Sequence, residues 1–193
     1  MPKCLFINAC LRGEGISRTA QLCRHLLGRL DASWQVEEVD LAPNCPAPLD
    51  AETIDRRDAL LRAGVLDDPL LQSAHQLCTA DLIVIGAPYW DLSFPAALKS
   101  YLEAICVCGI TFWYDDSGAL ISGLRANRLI YLTTAGGKIG DCNYGYDYVS
   151  GLFRHLLGVP QSLCIAADGL DLVGNHPDEI LQHTLEQIDQ LPL

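Results

Sequence analysis

The sequence predicts an α/β protein built on a doubly wound, five-stranded parallel sheet with helices on both faces. Three observations predict it. The continuous apolar run Leu82–Ile85 reads as a strand buried on both faces, as central strands of parallel sheets are. Four further strand-like segments alternate with segments of helical periodicity, the order that crossover connections require. The first, third and fourth strands end in loops rich in glycine, proline, hydroxyl or aromatic residues, and these loops are expected to converge on one crevice, where open α/β sheets bind ligands.

Lys3 to Asn8 is the first strand, and Asn8 to Thr19 is a glycine-bearing loop that feeds a helix from about Ala20 to Leu30. A strand, a loop and a helix N-terminus make anion-binding geometry, to which the Ser17 and Thr19 hydroxyls and the Arg18 guanidinium add donors. The loop matches none of the familiar nucleotide motifs. Gly13-x-Gly15 is followed by Arg18 at the third glycine position, G-K-[ST] is missing, and the seven residues between Cys10 and Arg18 are too many for a tyrosine-phosphatase loop. Ser17 equally suits a plain helix cap.

Trp34 to Leu41 is the second strand, alternating as an edge strand does, and Ala42 to Pro48 with its three prolines is a loop. Glu52 to Thr79 reads as two helices interrupted at Gly64 and Pro69, with Arg56, Arg57 and Arg62 on a solvated face and His75 exposed. After the third strand, Gly86-Ala87-Pro88 opens the loop Pro88-Tyr89-Trp90-Asp91-Leu92. Pro95 suits the first turn of the next helix, whose apolar face runs from Ala96 to Cys106. Cys106 and Cys108 read as buried thiols rather than a redox pair.

Phe112, Trp113 and Tyr114 lie outside a regular strand pattern, and are either packed core or a lid over a flat ligand. Arg128 to Thr134 is the fourth strand of the sheet and ends in Ala135-Gly136-Gly137, a pair of glycines that lets backbone N–H groups approach a ligand or simply makes a turn. Asp141 to Gly145 is a polar connection, Tyr146 to Leu157 a helix capped by Gly158, and Gln161 to Ala166 the fifth strand. The last helix starts at Pro177, packs through Ile180, Leu181, Thr184, Leu185 and Ile188, and takes His176 as its cap.

Composition bounds the function. With 193 residues, half of them apolar, residues 1–193 are expected to form one domain with a substantial core. A formal charge of −11 repels phosphate polyanions and anionic lipid, so neither nucleic acid nor a membrane is an expected partner. Nine cysteines, an odd number partly inside apolar runs, point to reduced thiols and a cytoplasmic protein. Met1-Pro2-Lys3 leads straight into a short strand, too short for a signal peptide or a membrane span, and no metal site is expected.

Ala87 to Glu103 (A-P-Y-W-D-L-S-F-P-A-A-L-K-S-Y-L-E), Gly109 to Tyr114 (G-I-T-F-W-Y) and Thr133 to Gly137 (T-T-A-G-G) resemble the flavodoxin-like NAD(P)H:quinone oxidoreductases, above all the bacterial FMN-dependent NADH:azoreductases. The resemblance spans nearly the whole chain. It implies noncovalent FMN, with phosphate contacts at Cys10, Ser17, Arg18 and Thr19, ring contacts at Pro88, Tyr89, Trp90, Asp91 and Leu92, and a second flavin loop at Thr134, Ala135, Gly136 and Gly137. It implies NADH or NADPH as hydride donor, a quinone or azo acceptor in the same slot, and a homodimer with sites at its interface. Gly136 and Gly137 would stabilise charge on the reduced ring through their amides. Tyr144 is the candidate proton donor or acceptor contact, in a glycine-flanked loop, and Phe112, Trp113 and Tyr114 the candidate stacking surface. The family usually has serine at the position of Cys10 and asparagine at that of Asp91, whose charge would either shift the flavin potential or call for a neutralising neighbour. The scaffold is also that of NAD(P)H-dependent flavin reductases and of one-electron flavodoxin carriers.

Overall fold

The computed structural model describes residues 1–12 and 15–193; Gly13 and Glu14 of the first loop lie outside the described residues. Its strands are β1 (Lys3–Asn8), β2 (Gln35–Asp40), β3 (Leu82–Gly86), β4 (Phe112–Tyr114), β5 (Leu120–Ser122), β6 (Arg128–Thr134) and β7 (Gln161–Ala167). Its helices are α1 (Arg18–Gly28), α2 (Ala51–Ala63), α3 (Gln72–Cys78), α4 (Ala96–Ile105), α5 (Tyr144–His155) and α6 (Pro177–Asp189). Five strands form a wholly parallel sheet in the order β2-β1-β3-β6-β7. The expected doubly wound sheet is therefore present, with β2 at its edge. The order reverses beside β1, so the loops leaving β1 and β3 run to opposite faces and leave a crevice at their carboxyl ends.

Alternation of side chains along each strand divides the core into two layers. Leu5, Ile7, Ile83, Ile85, Leu129 and Tyr131 face α3, α4 and α5, while Cys4, Phe6, Val84, Ile130 and Leu132 face α1 and α6. The register places Ile7, Ile85, Tyr131 and Cys164 in one row and Asn8, Gly86, Leu132 and Ile165 in the next. Strands β1 and β3 thus end level with one another, while β6 runs two residues further, to Thr134, and forms one wall above the floor from which the other two loops start.

Several boundaries differ from the sequence reading. The α1 helix starts at Arg18, because the Ser17 hydroxyl accepts from the Ala20 N–H at 3.2 Å. The α5 helix starts at Tyr144 rather than Tyr146, because Asn143 Oδ1 accepts from the Tyr146 N–H at 2.9 Å and caps it. Phe112–Tyr114 does lie in a strand. It pairs antiparallel with Leu120–Ser122, in a hairpin closed by Asp115, whose Oδ1 accepts from the Ser117 and Ala119 amides at 2.9 Å, and by Gly118 at φ 81°.

Between α2 and α3, Gly64 takes the left-handed conformation at φ 69° and Pro69–Leu71 forms a 3-10 turn, so the expected interruption is present. His75 is half-buried rather than exposed, and its Nε2 has no hydrogen-bond partner among the described residues. His176 stands at the N-cap position of α6 without a capping bond. Cys106 is half-buried, its thiol pushed up to about 11 by burial, but Cys108 is exposed, so the two are not both buried. All nine cysteines are free thiols. Among the described residues no helix is long and apolar enough to cross a membrane, and no group of His, Cys, Asp and Glu could hold a metal ion.

Candidate functional site

A cleft lies at the carboxyl ends of β1, β3 and β6. The first loop and the start of α1 line it with Cys10, Arg12, Ser17, Arg18 and Thr19, the loop after β3 with Pro88, Tyr89 and Trp90, and the end of β6 with Thr134 and Gly136. The three loops picked out from the sequence do meet. A fourth element joins them, since Asp171 from the loop after β7 also lines the cleft.

Backbone donors dominate its chemistry. The amides of Arg18 and Thr19, in the first turn of α1, have no acceptor among the described residues, as expected of helix N-terminal N–H groups. Those of Gly136 and Gly137 are also unpaired, although both carbonyls accept, from the Asp171 amide at 2.9 Å and the Gly169 amide at 2.8 Å. Of the glycine pair only Gly136 lines the cleft; its unpaired N–H, those of Arg18 and Thr19, the Ser17 hydroxyl and aromatic Tyr89 and Trp90 fit a ligand with an anionic end and a flat polar ring. The donor set therefore suits FMN.

Side chains depart from the expected roles at two of the four phosphate positions. The Thr19 hydroxyl is buried and shares a 2.6 Å hydrogen bond with the Thr134 hydroxyl, joining two cleft walls. The Arg18 guanidinium is engaged by Asp171, Nη1 to Oδ1 at 2.8 Å and Nη2 to Oδ2 at 3.1 Å. That bidentate pair holds the Asp171 carboxyl below its ordinary range, helped by the charge of Arg12. Arg18 and Thr19 thus offer the cleft their amides. Asp171 was not legible in the sequence: it is 153 residues from Arg18, in a loop with no motif.

Pro88 to Leu92 is held from both sides. The Tyr89 amide donates to Thr134 O at 3.0 Å and the Tyr89 hydroxyl to Cys142 O at 2.9 Å. Trp90 and Ser93 exchange amide-to-carbonyl bonds of 3.1 and 2.8 Å around a two-residue turn in which Asp91 has φ 52° and Leu92 φ 67°. Positive φ at both central residues is the I′ pattern, which asparagine, aspartate and glycine tolerate and leucine does not. Asp91 is exposed and has no ion-pair partner among the described residues, so solvent, not a neighbouring cation, screens its charge.

The remaining predicted residues stand outside the cleft lining. Ala135 is buried beneath it, its amide donating to Ala167 O. Leu92 is exposed at the turn, and Tyr144 is exposed in the first turn of α5, its phenol pushed above the ordinary value by the neighbouring Cys142 thiol. Phe112 packs on the core, while Trp113 and Tyr114 present exposed rings on the β4–β5 hairpin.

Residues 2–191 match the model of the family described as having a flavodoxin-like fold. The chain belongs to the flavodoxin-like fold family. A Clostridium acetobutylicum protein named FMN-dependent NADH:quinone oxidoreductase 2 is 33% identical over 196 residues, covering 97% of this chain and 96% of its own. A Coprothermobacter proteolyticus protein named FMN-dependent NADH:quinone oxidoreductase is 29% identical, over 99% of this chain and 98% of its own. Among solved structures, an FMN-dependent NADH-azoreductase from Bacillus anthracis in complex with FMN superposes with TM-score 0.82 at 21% identity, over 98% of this chain and 97% of that one.

In this flavodoxin-like chain the strained turn yields a direct test. Leu92 is 59% exposed, so little packing opposes its replacement. Leu92→Gly is expected to raise stability, by about 1 kcal/mol, because glycine occupies positive φ without the Cβ penalty. Urea denaturation checks it, and a lowered midpoint at unchanged slope contradicts the strain.

Proposed function

We propose that this chain is an FMN-dependent NAD(P)H oxidoreductase that reduces quinones or azo compounds. The observation that carries the reading is the convergence of Ser17, Arg18 and Thr19 at the α1 N-terminus, aromatic Tyr89 and Trp90, and Gly136 at the end of β6 on one cleft at the switch point of the sheet, with the amides of Arg18, Thr19 and Gly136 unpaired among the described residues. FMN, when bound, supplies the electron chemistry: it takes hydride from NADH or NADPH and passes two electrons to the acceptor.

The protein's own work is placement and electrostatics. Ser17 and the amides of Arg18 and Thr19 hold the phosphate at the positive end of α1. Tyr89, Trp90 and the 91–92 turn seat the ring, with Pro88 starting the loop and Thr134 and Ala135 bracing it from β6. The Gly136 and Gly137 amides face the edge where negative charge develops. Cys10 forms part of the floor under the phosphate. Tyr144, with its hydroxyl protonated and exposed beside Cys142, serves the acceptor as proton donor or polar contact.

We further infer one domain spanning residues 1–193, and a homodimer with a quinone or azo acceptor bound at the subunit interface. Two exposed apolar surfaces support the dimer. One is formed by Ile54 of α2 with Val65 and Leu66 that follow it, and the other by Trp113 and Tyr114 on the β4–β5 hairpin, and both would suit contact with a second subunit. Nine free thiols support a cytoplasmic setting. Native mass spectrometry of the purified chain tests the reading: the expected species is a dimer carrying one FMN per subunit. A stoichiometric FAD adduct, or a monomer that retains full NADH:quinone activity, overturns it.

A further inference from the structure

Beneath the phosphate loop lie two thiols from different elements, one of them Cys10 of the cleft floor. Cys10 follows β1 and lines the cleft, although it is only 3% exposed, while Cys23 sits in the second turn of α1 and is fully buried. Gly86, at the end of β3, is what lets them meet. A Cβ there would stand 2.4 Å from Cys23 Sγ and 3.6 Å from Cys10 Sγ, so both sulfurs crowd the space that the missing side chain leaves.

We propose that Cys10 and Cys23 form a peroxide-responsive dithiol that closes to a disulfide under the cleft. The two sulfurs are chemically unequal. The neighbouring Cys23 thiol and the Ser17 hydroxyl, against burial, hold the Cys10 thiol below its ordinary value, while burial pushes Cys23 well above; the Cys10 thiol itself donates to Gly86 O at 3.7 Å. Cys10 is also the one with access to the cleft, so it is the nucleophile and Cys23 the resolving thiol.

In the first step the Cys10 thiolate attacks one oxygen of a hydroperoxide. An S–O bond forms, the O–O bond breaks, and the leaving oxygen departs as water or alcohol after taking a proton; the sulfur is oxidised by two electrons and the peroxide reduced. Cys23 then attacks the Cys10 sulfur: the S–S bond forms, the S–O bond breaks, and the departing hydroxide takes the Cys23 proton and leaves as water. A small-molecule dithiol returns both sulfurs to thiols by exchange. The other cysteines lack this arrangement: Cys45, Cys108 and Cys142 are exposed, and burial pushes Cys4 and Cys164 up to about 12.

The test uses the full chain with Cys45, Cys108 and Cys142 changed to serine, which removes cross-linking between molecules. Treatment with hydrogen peroxide, alkylation and non-reducing peptide mapping is expected to show a Cys10–Cys23 linked peptide and the loss of two alkylatable thiols, both reversed by dithiothreitol. In Cys23→Ser on the same background, the expected product is a dimedone adduct on Cys10. The mapping of the chain that retains Cys23 stands even if that variant folds poorly. Recovery of Cys10 and Cys23 as separately alkylated peptides after peroxide, or linkage of either to some other cysteine, overturns the proposal.

Discussion

Gly136→Val is expected to slow the bleaching of protein-bound flavin by NADH on the order of a hundredfold, with little loss of stability. Valine keeps the Gly136 N–H, but its branched side chain would shift that N–H away from the ring; a preorganised amide donor to developing charge is worth about 2.7–4 kcal/mol in hydrolytic enzymes, and that magnitude sets the expectation. The cause is spatial. Gly136 is not at positive φ, so the backbone itself would accept a side chain. Its Cβ, however, would stand 2.3 Å from Asp171 Oδ2, so the carboxylate must leave, and with it the bidentate hold on Arg18 across the cleft.

Stability is expected to survive, because the displaced group is the end of an exposed side chain, and an exposed ion pair is worth about 0.2–1 kcal/mol. Gly137 is the control. A Cβ there meets nothing within 4 Å, so Gly137→Ala is expected to leave both rate and stability near the parent values. Ser17→Ala supplies the contrast: weaker FMN retention by roughly 1–3 kcal/mol, with the flavin-loaded fraction reduced at nearly the parent rate. Stopped-flow reduction by NADH of fully loaded protein is the measurement. An unchanged rate in Gly136→Val would remove the role assigned to that loop.

Gly86→Ala presents nearly the same contact distance and the opposite outcome. Its Cβ would stand 2.4 Å from Cys23 Sγ, 3.3 Å from the Phe6 ring and 3.6 Å from Cys10 Sγ, and all three side chains are buried between the sheet and α1. None can swing into solvent, so the relief must come from core shifts, which cost about 1–3 kcal/mol for overpacking of this kind. Cys23→Ala removes the sulfur in the way. In that background Gly86→Ala is expected to cost less than about 0.5 kcal/mol, so the double-mutant cycle should show coupling close to the whole of the single-site loss. Urea midpoints at constant slope measure it, and equal costs in the two backgrounds would contradict the crowding. The comparison of Gly136 with Gly86 shows that what a new methyl displaces, not the distance to it, decides the price.

Much of the fold was legible because its signals are local. Apolar runs long enough to cross a sheet marked β1, β3 and β6, and Ser17 before a helical period marked the start of α1. The β4–β5 hairpin was not legible, because three-residue strands show no period and its turn rests on Asp115 bonding its own neighbours. The positive φ of Leu92 was equally hidden, since leucine carries no preference for it and the reciprocal Trp90–Ser93 bonds impose it. Tyr144 lies in the first turn of α5 rather than in the loop expected of its glycine-flanked segment, because Asn143 caps the helix there. A Cβ at Gly145 would come within 3.2 Å of Ser93 and of the Tyr131 hydroxyl, so close packing on the 90–93 turn is what that glycine serves.

By itself, then, the order of residues determined the layered α/β architecture, the three strand-end loops and the donor-rich character of the first, since propensity, periodicity and capping act over a few residues. Only the tertiary structure decided which donors remain open to the cleft. Thr19 is taken by Thr134, 115 residues away, and Arg18 by Asp171, 153 residues away, while Cys10 and Cys23 meet only through the gap at Gly86. Those pairings depend on the sheet order and register that bring distant loops to one edge, and no local rule encodes them.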